Sequence, residues 1–391
     1  MRRQSRIRRR PVMAIGSTTD VGMDTSKKSI QVAMLLPGRR DPQEWELANE
    51  PQAVKRLAKR LLREAVGALR VCYEAGPCGY TLQRQLRAAG VESIVVAPSL
   101  IPAKPGERIK TNRRDARNLA QMLRADALTE VHPPTLEEEA VRDLSRCRED
   151  ASEDLLRARH RLGKMLLRRG LVHSGRAWTE VHRRWLRCLS FEHEADRSVF
   201  DDYLRAIEHL EERLRGLEEK LVALSEKEPY REPVGWLRCF RGIDTVTAMT
   251  LVAELHDFRR FESPRALMAF LGLVPSESST GEKHRRGAIT RAGNTHARRV
   301  LIEASWHYRH RPGVSKQLRK RREGQPGWVI AVADRAQLRL HKRFWKLALH
   351  GKSTNKAVSA VARELAGFIW AALSLKGAAV TPKNVIAASH A

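Results

Sequence analysis

An α/β layer domain, then a charged helical segment, then a second and mainly helical domain are what this sequence predicts, on three observations. Short apolar runs alternate with amphipathic helical patterns over residues 19–124. A leucine seam at heptad spacing follows, and the remainder is apolar helix interrupted by one serine- and glycine-rich turn. At 391 residues the chain exceeds the roughly 250–300 at which one core stops growing, so two or three domains are expected.

In chain order, residues 1–18, which open MRRQSRIRRR, read as a basic disordered arm, since the PVMAIG within it is too short for the apolar core of a signal peptide. VGMD and IQVAMLL form a hairpin pair, PQAVKRLAKRLLREA an amphipathic helix, LRVCYEA a buried strand, YTLQRQLRAAG a helix and ESIVVA another strand. The first domain is placed at 19–135. Near its end, IKTNRRDARN sets a single acid, Asp115, among Lys110, Arg113, Arg114 and Arg117, directly before the apolar positions Leu119, Met122 and Leu123. Two readings stand for Asp115: a first-turn acid that complements the positive end of a helix, or a ligand.

Residues 136–230 are charged helix. Tyr203, Ile207, Leu210, Leu214, Leu217, Leu221 and Leu224 are spaced 4, 3, 4, 3, 4, 3. That seam fits an antiparallel or dimeric coiled coil, or a helix packed on its own domain. PVGWLRCFRGIDTVTAMTLVAEL opens the C-terminal domain, 231–375. In it RGIDTVTA is a turn feeding a helix, with Gly242 free to take an unusual backbone angle. It fits a hairpin whose helix-start N–H groups hold a nucleic-acid backbone, and it fits a plain helix start. NKAVSAVARELAGFIWAALS is an apolar core helix, and 376–391 a tail.

The charge balance is the loudest compositional signal: 73 Lys plus Arg against 45 Asp plus Glu, a net charge of +28. Such an excess attracts polyanions, nucleic acid ahead of a membrane surface. Five cysteines, odd in number and without a CxxC pair, support neither a disulfide framework nor a zinc finger and fit a reducing compartment. No window approaches the ~18 uninterrupted apolar residues of a membrane span.

Asp24 ends the first strand, Glu74 ends LRVCYE, and Asp115 begins a later helix. In an α/β sheet, strand ends and adjoining helix starts meet at one edge, so these acids can gather into a site for a hard divalent ion such as Mg²⁺. Lys110, Arg113 and Arg114 would then hold phosphate. The turn VPSESSTGEKHRRGAITRAGN brings Ser276, Ser278 and Ser279 before Thr280 and Gly281, with six Lys or Arg between 281 and 300, among them Lys283, Arg285, Arg286 and Arg291. On its residues alone this is a phosphate-binding loop, with His284 and His296 as phosphate neighbours rather than bases.

Four stretches, VGMDTSKKSIQVAML, VCYEAGPCGY, IKTNRRDARNLA and LGLVPSESSTGEKHRRGAITRAGNTHARRVLIEAS, resemble in order and spacing the DEDD-type insertion-sequence transposases, the RNA-bridged DNA recombinases, over roughly residues 19–310. The resemblance implies an α/β ribonuclease-H-like, Holliday-resolvase-like N-terminal domain, a helical coiled-coil linker and a mainly α C-terminal transposase domain with a nucleophilic serine. It maps the first, second and last acids to Asp24, Glu74 and Asp115. The third acid's place, three residues before the last, is held by Asn112, which offers an oxygen but no charge. Ser279 falls on the nucleophile and Ser278 on a variable position. The implied activity is cutting and rejoining of DNA through a covalent phosphoserine intermediate, with Mg²⁺, a guide (bridge) RNA and a dimeric or tetrameric homo-oligomer, in the bacterial cytoplasm at the nucleoid and away from any membrane. The acids would act with Ser279 across the DNA. Two rivals remain: a metal-dependent junction endonuclease in which the acids activate water, and an inactive basic nucleic-acid-binding protein in which Asn112 marks a lost metal site.

Overall fold

β1 (Thr18–Thr25) is the centre of the N-terminal sheet, and its first six residues are all buried. It pairs antiparallel with β2 (Ser29–Leu35), which pairs antiparallel with β3 (Gln43–Ala48). After α1 (Pro51–Glu64), β4 (Ala68–Glu74) lies parallel to β1 on its other side. α2 (Thr81–Ala88) leads to β5 (Ser93–Val96), parallel to β4, and α3 (Asn112–Arg124) leads to the short β6 (Glu130–Val131), antiparallel to β5. The order is β3-β2-β1-β4-β5-β6. The computed structural model describes residues 18–101, 111–277 and 285–374 and divides into two units, 1–133 and 134–391.

Side-chain alternation splits the sheet's two faces between different helices. Val21, Met23, Ile30, Val32, Val71 and Tyr73 pack with α1 and α2 through Val54, Leu57, Leu61, Leu82 and Leu86. The opposite face belongs to α3, where Ala116 and Ala120 meet Ala33 and Leu35, and Leu119 and Leu123 meet Cys72 and Val96. Contact there is backbone to backbone. A Cβ on Gly22 would stand 2.3 Å from the Ala116 carbonyl oxygen and 2.4 Å from the Ala120 nitrogen. Two residues earlier on that face, the fully buried Asp20 accepts from Arg70 Nε at 2.7 Å and Arg124 Nε at 3.0 Å. Arg124 also donates to the Leu35, Leu36 and Arg39 carbonyls. The helix therefore runs antiparallel to β1, its last turn at Asp20 and its middle at Gly22, which sets its first turn over Asp24.

The sequence reading did not anticipate β3. QEWELA carries Glu44 and Glu46 and forms the sheet's edge, where charge discourages further pairing and hides the apolar pattern.

In the second unit α4 (Leu136–Arg168) and α6 (Glu194–Ser225) pack together, connected through α5 (Glu180–Arg187). The pairs Arg148–Glu218, Arg159–Glu211 and Arg169–Asp196 run in opposite senses along the two helices, so they are antiparallel. The heptad seam is thus met within the chain: Phe200 and Ile207 pack among Leu155, Leu162 and Met165. The roots, Val141 and Leu221, join the C-terminal core. That core contains α7 (Arg231–Leu237), α8 (Thr245–Leu255), α9 (Pro264–Phe270), α10 (Thr295–Ser305), α12 (Gly327–Leu349) and α13 (Thr354–Ser374). A hairpin of β7 (Pro275–Glu277) and β8 (Arg286–Ile289) precedes α10, and α11 (Lys316–Arg322) precedes α12. α13 has no uninterrupted apolar run of about 18 residues, since Lys356, Arg363 and Glu364 break it, but its 21 residues include an 18-residue window of mean hydropathy 1.3 that is long and apolar enough to cross a membrane. Its apolar surface is used elsewhere, with 72% of that window buried inside the protein.

Gly22→Ala should lower the unfolding free energy of the N-terminal unit by about 1–3 kcal/mol, the usual cost of overpacking. Gly163→Ala, exposed on α4 with nothing within 4 Å, should instead add about 0.5–1 kcal/mol through helix propensity. Equal denaturant midpoints for wild type and Gly22→Ala would show that α3 does not rest on β1 at this point.

Candidate functional site

Asp20 is in register with Arg70 and Gly22 with Cys72 across the parallel β1–β4 ladder. All four lie on the α3 face, since Arg70 donates to the Leu123 carbonyl and the Cys72 thiol to that of Leu119. The next positions on this face are Asp24 and Glu74, neighbours at the carboxyl ends of the two strands and both half-buried. Asp115 is half-buried in the first turn of α3, whose start is capped by the Thr111 hydroxyl accepting from Arg114 N at 3.3 Å. Asn112, the first residue of the helix, is exposed. Strand register and helix direction thus bring the first turn of α3 to the sheet end that carries Asp24 and Glu74. They do not close the acids into a ligand cage: among the described residues no three His, Cys, Asp or Glu side chains stand close enough together to hold a metal.

The basic stretch before Asp115 is partly neutralised from the edge strand. Glu44, its side chain 7% exposed, accepts from Arg117 Nε at 2.6 Å and from Arg113. The Arg117 hydrogen bond foremost, with help from Arg113, holds the Glu44 carboxyl below its ordinary range despite the opposing effect of burial. Arg113, expected to hold phosphate, therefore ties the start of α3 to β3. Arg114 is exposed, and Lys110 lies outside the described residues. Glu44 was missed because its strand was missed.

In the second unit Ser278, Ser279, Thr280, Gly281, Lys283 and His284 lie between β7 and β8 and outside the described residues. What is described is the base of that hairpin. Arg285 and Arg291 are exposed, and Arg286 begins β8. After β8 the chain is clamped. Gly293 takes φ +71°, and a Cβ there would stand 1.9 Å from the Phe270 carbonyl oxygen. The buried Arg298 donates at 2.9 Å to both the Leu271 and Ala292 carbonyls. Asn294 caps α10 and donates to Glu254 Oε2 at 2.6 Å. Glu254 lies on α8 with its side chain 1% exposed, and Arg146 of α4 reaches it at 2.8 and 3.0 Å. Burial pushes the Glu254 pKa up, but the hydrogen bonds from Arg146 and Asn294 and the neighbouring charges outweigh it, and the net direction is down.

Glu149 of α4 works the same way. It holds His296 Nδ1 at 2.7 Å and Arg299 Nε at 2.8 Å, and its pKa is likewise lowered although burial opposes. His296, expected beside phosphate, thus has its Nδ1 engaged by Glu149. Neither Glu149 nor Glu254 was legible as part of a site, because their partners on α10 stand 147 and 40 residues away along the chain.

Glu254→Ala should cost about 2–3 kcal/mol, since hydrogen bonds to a charged group are lost at a buried position. The pH dependence follows from the sign. Both folded pKa values lie below the ordinary 4.5, so their stabilisation is complete above that pH and is lost as the pH falls through the folded values. Unfolding midpoints from pH 7 to 3 should fall less steeply for Glu254→Ala than for wild type. Parallel acid limbs would contradict this.

Comparison with known proteins gives matches along most of the chain. A DEDD-type IS110 model described as "Transposase" matches residues 21–169, the span that holds Asp24, Glu74, Asn112 and Asp115. A model described as "Transposase IS116/IS110/IS902 family" matches 236–319, which holds Ser279. The putative transposase y4qE of Sinorhizobium fredii is 40% identical over 356 residues, 90% of this chain and 87% of that protein. The transposase for insertion sequence element IS1533 of Leptospira borgpetersenii is 37% identical over 337 residues, 84% and 96% of the two chains. The transposase for insertion sequence element IS1111A of Coxiella burnetii is 22% identical over 375 residues, 90% and 89%.

Proposed function

The chain belongs to the IS110/IS116 family of insertion-sequence transposases, and on that premise we propose that it cuts and rejoins DNA strands through a covalent phosphoserine at Ser279, with a divalent metal at Asp24, Glu74 and Asp115 and a bound guide RNA. The observation that carries the acidic half is the β1–β4 register, which makes Asp24 and Glu74 neighbours at the sheet end reached by the first turn of α3. Carboxylate oxygens from two rigid strands and one helix start are the donor type a hard divalent ion takes, Mg²⁺ above all. Asn112 supplies a neutral oxygen where a fourth acid would add charge and repulsion. The antiparallel β3-β2-β1 meander continued by parallel β4 and β5 is the arrangement we assign to a ribonuclease-H-like domain.

In the proposed reaction the Ser279 oxygen attacks a backbone phosphorus, the bond from phosphorus to the departing sugar oxygen breaks, and the hydroxyl proton ends on that oxygen. The new ester conserves the bond energy, so a second strand's hydroxyl can displace the serine and reseal the backbone. A bound divalent ion would offset negative charge on the phosphoryl group. Glu254, Asn294 and Arg298 fix the chain that follows the serine hairpin. Exchange between two duplexes takes four strand cuts with one serine per chain, which is the reason to assign a homo-oligomer.

Ser279→Ala should abolish a protein–DNA band on denaturing gels while leaving nucleic-acid binding nearly intact, because one hydroxyl contributes little to a many-phosphate interface. An adduct that persists in this variant, or that maps to Ser276 or Ser278, would overturn the assignment. Metal-dependent cleavage with no adduct in wild type would make the chain a nuclease instead.

Titration with Mg²⁺ tests the acids. Asp115→Ala should remove metal-dependent activity, and Asn112→Asp should lower the Mg²⁺ concentration that gives half-maximal cleavage. If Asp115 is only a first-turn helix acid, its loss costs about 0.3–1 kcal/mol of stability and leaves the metal response unchanged.

A further inference from the structure

Between Glu303 and Glu323 the chain has no acid and seven Lys or Arg residues. The fold wraps this stretch around the turn between α7 and α8, the RGID segment. Arg241 Nη1 donates to the Arg311 carbonyl at 2.7 Å, and Arg321 Nη1 to the Ile243 carbonyl at 2.8 Å. A Cβ on Gly242 would stand 2.5 Å from the Ala304 carbonyl oxygen and 2.9 Å from His307 Cδ2, so the turn is pressed against the 3₁₀ turn Trp306–Arg309. Partial burial, and then the charges of Arg241, His310, Arg321 and Arg309, hold the His307 imidazole below its usual range, which marks these cations as one positive field.

Several guanidinium groups elsewhere in this unit are matched by carboxylates, as at Arg146, Arg159, Arg169 and Arg299, while Arg298 grips backbone oxygens. Here Arg241 and Arg321 are spent on backbone oxygens, and Arg311, Arg319 and Lys320 are exposed with no ion pair among the described residues. Arg322 in the same stretch is paired with Asp334 at 2.8 Å, and Asp244 lies near Arg321, but the exposed like charges beside them still gain from a polyanion that displaces small counterions. The start of α8 is not the anion site, because Asp244 already caps it, accepting from Thr247 N at 2.8 Å. Beside the strip Trp345 donates to the Arg309 carbonyl at 2.9 Å and is 43% exposed, which offers an aromatic face next to the cations.

We propose that Arg309, Arg311, Arg319 and Lys320, held in place by Arg241 and Arg321, form a clamp for the sugar–phosphate backbone of a nucleic acid, without base recognition. The clamp extends the proposed function to a named surface, but it needs neither Ser279 nor the acids.

The test is the salt dependence of binding by the full chain to a short DNA duplex and to a single-stranded RNA of unrelated sequence. Arg311, Arg319 and Lys320 are all changed to Gln, which leaves the backbone-gripping Arg241 and Arg321 in place. A control changes Lys55, Arg56 and Lys59 of α1, removing the same charge from another surface. For the strip variant the slope of log K against log salt should shrink by about 0.9 per duplex phosphate released, or about 0.7 per single-strand phosphate. That is about 2–3 in all, with a change below 1 for the control. A change on the duplex alone identifies DNA as the occupant, and a change on the single strand alone identifies RNA. Equal changes in strip and control variants, or none in the strip variant, overturn the clamp. Matching thermal unfolding of both variants excludes misfolding as the cause. Adduct formation by wild type is scored separately, so failure of the recombinase reading and failure of the clamp give different results.

Discussion

The contact between the backbone of α3 and the central strand at Gly22 is the constraint on which the N-terminal site depends. No side chain fits between Gly22 and the Ala116 carbonyl, so helix and strand approach closely. Close approach alone would permit sliding. Asp20 prevents it by gripping Arg124 at one end of the helix and Arg70 on the neighbouring strand, and Glu44 steadies the other end through Arg113 and Arg117. Position and direction are thereby both set, and the place of the first turn of α3 relative to the strand ends that carry Asp24 and Glu74 follows from them.

The second unit solves a similar problem with the same chemistry. A buried acid on one helix holds two donors from elsewhere: Glu254 takes Arg146 and Asn294, and Glu149 takes His296 and Arg299. In each case burial works against the charged form and the donors more than restore it. The result is that α4, which is also half of the long antiparallel helix pair, is stitched to the start of α10 just after the serine hairpin. A movement of α4 along its axis would have to break charge-assisted hydrogen bonds before it could leave the hairpin base behind.

Much of this was legible in the sequence, and the failures have a common physical origin. The core strands of the N-terminal sheet show as apolar runs because both faces are covered, and Asp24 and Glu74 stand out as acids at their ends. The heptad seam announced a helical partner but could not say that the partner was α4 of the same chain, since periodicity carries no address. β3 was invisible because its glutamates serve an edge and a long-range ion pair. Glu44, Glu149 and Glu254 were missed for one reason. A buried acid that organises a site looks, in sequence, like any surface glutamate until its arginine, tens to more than a hundred residues away, is known.

The same bookkeeping shapes how the excess of positive charge can be used. Several buried acid side chains bind two arginines each, as Asp20, Glu44 and Glu364 do. These acids are thus engaged inside the fold, while Arg311, Arg319 and Lys320 stand exposed with no ion pair among the described residues. Contacts of that kind give affinity for any phosphate backbone and fix its position, but they carry no information about sequence. A transposase that binds mainly in this way has to take its choice of target from something else, and base pairing with a bound RNA is a source that needs no base-reading side chains. On the proposed reading, a strip that holds phosphate without reading bases leaves the choice of target to the guide.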